Sequence, residues 1–185
     1  VDVVEGNCRM KQALIRDKRY PNLFLLPSAQ TRDKSSVNPS QMVKLVEYLK
    51  EDFDYILLDC PAGIEQGFYN AIAGADRALV VATNDASSLR DAQRTVEELY
   101  RIRQVHLVMN RIQPRLLRQL RTTIDDAMDA AGLPLIGVIP EDRRVILAAN
   151  LGRPLILEGR QGAANACLNI AKRLEGYRVP VMRIR

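Results

Sequence analysis

The stretch "DYILLDCPAGIEQGF", residues 54–68, decides the reading of the fold. A nearly continuous apolar run ends on a carboxylate, Asp59, and turns at once through Cys60, Pro61, Ala62 and Gly63. Such a run reads as a strand covered on both faces, and the carboxyl end of a strand is where an open α/β sheet presents its ligand edge. There Asp59 can hold a Mg²⁺ ion directly or through water. Pro61 stiffens the turn, and Gly63 lets a backbone N–H approach a phosphate closely. A lone Asp at a strand end also serves as a helix cap or turn former, so the pattern needs company.

Working outward, four more runs of the same kind appear: "NLFLLP" (22–27), "RALVVAT" (77–83), "VHLVMN" (105–110) and "LIGVIP" (135–140). Between them lie apolar stripes at helical spacing. Met42, Val43, Val46 and Leu49 form one, and Leu89, Ala92, Val96 and Leu99 form another behind a Ser87-Ser88 cap signal. A third runs through Leu117, Leu120, Ile124 and Met128 and ends at Gly132. This alternation predicts an α/β fold: a doubly wound, mainly parallel sheet with helices on both faces. The chain reads as a single domain over residues 1–185, with "SAQTRDKSSVNPS" (28–40) as its most exposed loop. The residues just after each strand are then the ones to examine: Asp59 to Gly63, Thr83 to Asp85, Asn110 and Arg111, and Pro140 to Asp142.

The bulk numbers bound the function classes. A chain of 185 residues, 47 % of them hydrophobic, can bury a sizeable core. The net charge of +5 comes from dispersed basic residues and hints only weakly at an anionic partner. Cys8, Cys60 and Cys167 stand far apart with no histidine at ligand spacing, which argues against a metal cage or a disulfide scaffold and fits a reducing compartment. No apolar run approaches the roughly 18 residues of a membrane span. The lone His106 lies within an apolar run and reads as a satisfied core residue rather than a base. The start on Val1 suggests a fragment.

Taken together, "LLPSAQTRDK", "DYILLDCPAGIEQGFYNAIAGAD", "SSLRDAQR", "LVMNRIQP" and "GVIPEDRRVILAANLGRPLIL" resemble the MinD-type ATPases of the MinD/ParA group of deviant Walker A P-loop proteins. The likeness runs over essentially the whole chain. It implies a P-loop NTPase fold that takes ATP or ADP with Mg²⁺. Asp59 is then the Walker B carboxylate that holds the Mg²⁺ water shell, and Pro61, Ala62 and Gly63 are the switch II turn that senses the γ-phosphate. Asn110 recognises the adenine edge, and Pro140, Glu141 and Asp142 form the loop that packs on the base and bonds it through backbone groups. An Asn amide has the donor and the acceptor that an adenine edge requires. The plainer readings, a strand-end turn for Asn110 and an acid-rich helix start for "PEDRR", stand beside these.

The resemblance further implies an ATP-bound homodimer, Min-system regulators as partners, and a cytoplasmic protein attached peripherally to the inner face of the cell membrane. Ser87, Ser88, Arg90 and Asp91 open the helix that would meet those partners. Gln93 and Asn84-Asp85 depart from the family pattern there. An anionic membrane is expected as a partner only with a C-terminal amphipathic helix, and "GYRVPVMRIR" is too short and contains Pro180.

A Mg²⁺-holding Asp calls for a phosphate cradle, yet none of the ten glycines belongs to G-x-x-x-x-G-K-[S/T]. Because phosphoryl transfer is mostly positioning and charge neutralisation, these residues by themselves are expected to hydrolyse no ATP and to bind it weakly at best. Without the corresponding strand the sheet should carry unpaired edges and an uncovered apolar face. Two alternatives follow from the same residues. One is a ParA-like DNA-segregation ATPase with Arg111, Arg115, Arg118 and Arg121 as a basic stripe. The other is a non-catalytic interaction remnant, against which the joint presence of "DCPAG", "MNR" and "IPED" argues.

Overall fold

The computed structural model describes residues 2–28 and 37–182, so the "QTRDK" segment lies outside the described residues. The chain divides into two compact units, Val1–Ala75 and Asp76–Arg185.

In the first unit a four-residue helix α1 (Met10–Ala13) leads into a two-stranded antiparallel hairpin, β1 (Ile15–Arg16) with β2 (Phe24–Leu25). Helix α2 (Pro39–Leu49) starts where the chemistry of Asn38 and Pro39 places it. The Asn38 side chain accepts from the Gln41 N–H, Gln41 reaches back to the Asn38 N–H, and Pro39 sits where no amide donor is needed. Helix α3 (Gln66–Ala73) lies close against α2: a Cβ on Gly74 would stand 2.8 Å from Cγ2 of Val46.

The run 54–59 does not become a strand. Residues 55–61 take no regular secondary structure and make no ladder with any described strand, and burial reaches one side only. Ile56 and Leu58 are half-buried, whereas Tyr55 and Leu57 are exposed, Leu57 at 90 %. Covering on both faces requires neighbours that the described residues do not supply. The run 22–27 likewise yields only the two-residue β2, paired antiparallel.

The second unit carries the parallel α/β architecture. Strands β3 (Arg77–Ala82), β4 (Gln104–Ile112) and β5 (Leu135–Pro140) lie in the order β3-β4-β5, all parallel. Helix α4 (Ala86–Glu98) packs on β3, α6 (Ile124–Ala131) packs on β4 and on α4, and α8 (Gly162–Leu174) packs on β5. Leu107, Met109 and Ile112 are almost wholly buried, which puts the core along β4, the middle strand. On β3, Val80 and Ala82 are buried but Leu79 and Val81 remain 41 % and 59 % exposed. Among the described residues the three-stranded sheet and eight helices make this an α/β fold of the expected class.

Two local readings change. The stripe from Leu117 to Met128 is not one helix. It breaks into α5 (Pro114–Leu120) and α6, with Arg121 in the left-handed region at φ 53° and Thr123 capping α6 through a box with Asp126. Helix α4 is capped by Asp85, which accepts from the Ser88 N–H, rather than by Ser87-Ser88. His106 was expected to be a satisfied core residue; on β4 it is only half-buried, and its Nδ1 has no hydrogen-bond partner among the described residues.

Candidate functional site

The carboxyl ends of β4 and β5 bring two of the expected segments together. Their register pairs Met109 with Val138 and Ile112 with Pro140, so β4 has one residue more than β5 between these pairs. The extra residue is accommodated as a bulge at Asn110 and Arg111, with Arg111 at φ 54°. A non-glycine residue held there costs of the order of 1 kcal/mol or more. The bulge re-aims Asn110 at the strand end, where its Oδ1 accepts from the Arg111 N–H at 2.9 Å and its Nδ2 takes no partner among the described residues. Both N–H donors of that Nδ2 therefore stay available.

Opposite the bulge, the segment Pro140–Asp142 is tied down at every step. The Glu141 N–H donates to the Ile112 carbonyl at 3.1 Å. The Glu141 carboxylate accepts from the Gln113 side-chain amide and lies 3.6 Å from an Arg111 Nη2. Asp142 caps helix α7 (Arg143–Asn150) by accepting from the Arg144 N–H, and receives Nε and Nη2 of the same Arg144 at 3.0 and 2.7 Å. Its Oδ2 also accepts from the Ala163 N–H in the first turn of α8, at 3.1 Å. The Arg144 guanidinium first, and the two backbone donors after it, hold the Asp142 carboxyl far below the ordinary carboxylate range. Asn110, Pro140, Glu141 and Asp142 thus share one strand-end corner. The Asp142 side chain is spent on the scaffold, which leaves the backbone of this segment to meet a ligand.

The other candidates of this unit sit on α4. Ser87, Arg90 and Asp91 are exposed and Ser88 is half-buried. The Ser88 Oγ accepts from the Thr83 N–H at 3.0 Å, and the Arg90 Nε donates to the Ala86 carbonyl at 3.1 Å. Asp85 is lowered, first by the Thr83 hydroxyl and then by the Ser88 N–H. The side chains of Ser87 and Asp91 take no part in these bonds, although the Asp91 carbonyl accepts from the Thr95 hydroxyl at 2.8 Å. Arg111, Arg115, Arg118 and Arg121 are exposed, but Arg121 leaves the helix and Arg111 is held by Glu141, so they do not form one helical stripe.

In the first unit, Asp59 to Gly63 form an exposed turn. Gly63 has φ 90°, a value that favours glycine, and open space beyond its Cα. Pro61 packs on the first turn of α3, with its Cγ 2.8 Å from where a Cβ of Gly67 would stand. Burial first, and the Asp59 charge after it, push the Cys60 thiol pKa up. Sequence reasoning missed Asn70, the buried polar residue of α3. Its Nδ2 donates to the Val37 carbonyl at 2.7 Å and its Oδ1 accepts from the Gln66 amide at 3.0 Å. The Val37 bond ties α3 to the chain just before α2, and the Gln66 bond, within α3, holds the Asn70 amide in place.

The donor sets differ in what they fit. A purine edge needs a free donor beside fixed backbone, and the corner at Asn110 and Pro140–Asp142 has both. For Mg²⁺, the described residues hold no group of three or more His, Cys, Asp or Glu able to cage an ion. Asp59 by itself could supply one contact, direct or through water, to an ion whose other ligands are phosphate and water.

Comparison with known proteins finds relatives over most of the chain. A family model described as cellulose biosynthesis protein BcsQ matches residues 18–165. The septum site-determining protein MinD of Synechocystis sp. is 43 % identical over 98 % of this chain and 70 % of its own length, and that of Bacillus subtilis is 45 % identical over 98 % and 69 %. Among solved structures, the MinD cell division protein of Aquifex aeolicus superposes with a TM-score of 0.88 at 35 % identity, covering 98 % of this chain and 76 % of the other. The MinC:MinD complex from Aquifex aeolicus gives 0.86 at 36 %, covering 98 % and 74 %. The septum site-determining protein MinD of Pyrococcus horikoshii, complexed with Mg-ADP, gives 0.78 at 25 %, covering 94 % and 72 %.

Proposed function

The chain belongs to the MinD family of septum site-determining proteins and, over residues 18–165, to the family described as cellulose biosynthesis protein BcsQ; from that premise we propose that it supplies the base-reading and switch elements of an ATPase that helps place the division site. The family is one of ATPases, and a relative binds Mg-ADP. Here Asn110 presents its free Nδ2 to the adenine edge, and the backbone of Pro140, Glu141 and Asp142 forms the wall beside it. Asp59 holds the water shell of Mg²⁺. Pro61 and Ala62 shape the turn that brings the Gly63 N–H toward the γ-phosphate. ATP binding drives homodimerisation, and hydrolysis by a positioned water ends it.

The partner surface is the exposed start of α4, with Ser87, Ser88, Arg90 and Asp91. It meets the second subunit and the Min-system regulators, consistent with the MinC:MinD assembly of a relative. The working place is the cytoplasm and the inner face of the cell membrane. None of the described helices is long and apolar enough to cross a membrane. The broken arginine stripe does not favour the DNA-segregation alternative, and a salt-dependent DNA gel shift would reverse that preference.

The observation that carries this reading is the meeting of Asn110 and Pro140–Asp142 at one corner, held by the Glu141 N–H bond to the Ile112 carbonyl. Titration of the ¹⁵N-labelled chain with ADP should shift the Asn110 side-chain amide and the backbone amides of 141–143, and Asn110→Ala should remove the response. Unmoved resonances at millimolar ADP would sink the base site. Because the 185 residues contain no phosphate loop, they should turn over no ATP by themselves. Measured hydrolysis that disappears in Asp59→Asn would overturn that statement.

A further inference from the structure

Asp142 and Ala163 are far apart in the chain but share one hydrogen bond, and that bond bears on how a base is read. The Asp142 carboxylate gathers four donors: the Arg144 N–H, Nε and Nη2, and the Ala163 N–H. Its side chain is only 11 % exposed. The Arg144 Nη2 and Asp142 Oδ2 crowd Gly162, which lies at φ 52°, so closely that a Cβ there would overlap both atoms. The knot accordingly leaves no room for a side chain at 162.

We propose that Asp142 is a positioning residue that sets adenine selectivity, by fixing the backbone of Pro140–Glu141 relative to Asn110 through its bonds to Arg144 and Ala163. The inference rests on the base-site reading above. Its logic is one of donors and acceptors. The Arg111 N–H already bonds the Asn110 Oδ1, so of the Asn110 amide only the Nδ2 is wholly free. Adenine and guanine both present N7 as an acceptor, and a lone donor does not separate them. Separation falls to the adjoining backbone, which must place an acceptor at the adenine amino group, where guanine carries a carbonyl oxygen. Such discrimination depends on distance, and this backbone is held at one end by the Ile112 carbonyl and at the other by the Asp142 knot.

The test is titration of the chain with ADP and with GDP, followed by NMR, in the parent and in Asp142→Asn. The parent should prefer ADP. The variant should lose about tenfold in ADP affinity, the scale of one well-placed hydrogen bond, with GDP affinity little changed. A general loss of structure would instead weaken both nucleotides and collapse the spectrum. Arg144→Met, which spares the Ala163 bond, should show a smaller loss, and Arg144→Lys should restore part of it; this pair decides the matter should Asp142→Asn not fold. An ADP preference kept intact in a folded Asp142→Asn, or in Arg144→Met, overturns the inference and leaves the base site standing. A parent that binds neither nucleotide overturns the base site itself, and this inference with it.

Discussion

Gly137 on β5 and Ile170 on α8 touch so closely that a Cβ built on the glycine would overlap the Ile170 Cγ1 and stand 2.7 Å from its Cδ1. Ile170 also clusters with Val108 and Ile136, with Ile139 and Leu174 at the margin, so this contact seats α8 on the sheet. Gly137→Ala should destabilise the second unit by about 1–3 kcal/mol through overpacking. Ile170→Val in the same background should recover part of the loss. Urea melts of the two single variants and the double variant give the coupling energy, and simple additivity would show that the contact is not the cause.

Asn70 is the buried polar link of the first unit. Asn70→Leu leaves the Val37 carbonyl and the Gln66 amide without their partner and should cost about 1–3 kcal/mol. Hydrogen exchange should quicken in α3 more than in β4. Equal acceleration in both would mean that the bond does not act locally.

The parallel strands were legible because β3, β4 and β5 are nearly continuous apolar runs, although in β3 one side, with Leu79 and Val81, stays open. The same signal misled at 54–59, since an apolar run records what a strand expects to touch and Leu57 stays 90 % exposed. The break between α5 and α6 was hidden because Leu117, Leu120, Ile124 and Met128 keep helical spacing across it. The pair Thr123 and Asp126 is the signal that could have found it. At the candidate site, the residue types of Asn110 and Pro140–Asp142 were readable. The bulge at Arg111 has no sequence mark, and the partners of Asp142 and Asn70 lie too far along the chain for local pattern to join them.

Acid should expose the Asp142 knot. A carboxyl depressed by Arg144 in the fold contributes stability above its ordinary value near 3.8, and that contribution is lost as pH falls from there toward the much lower folded value. Asp142→Asn should therefore be less stable than the parent at neutral pH and show a flatter decline below about pH 4. Thermal midpoints from pH 7 to pH 2 measure this. Parallel curves would show that another carboxylate governs the acid response.

The exposed Leu79 and Val81 on β3 lie beside Val80 and Ala82, which are buried. A strand with apolar residues on its open side is an association hazard. The chain should self-associate as its concentration rises, and Val81→Lys should reduce this with little change in the melting midpoint. Sedimentation velocity across a tenfold concentration range reads it directly. Identical behaviour of parent and variant would place the sticky surface elsewhere.

The bond from the Ala163 N–H to Asp142 turns residues 143–162 into an excursion that leaves and returns at one point, closed by a carboxylate instead of a covalent bridge. Gly152, exposed at φ 59°, lies near the middle of that excursion. A nick or a reporter group inserted there would leave both ends pinned, so the chain could be labelled in this unit without moving the corner where Asn110 and Pro140 meet.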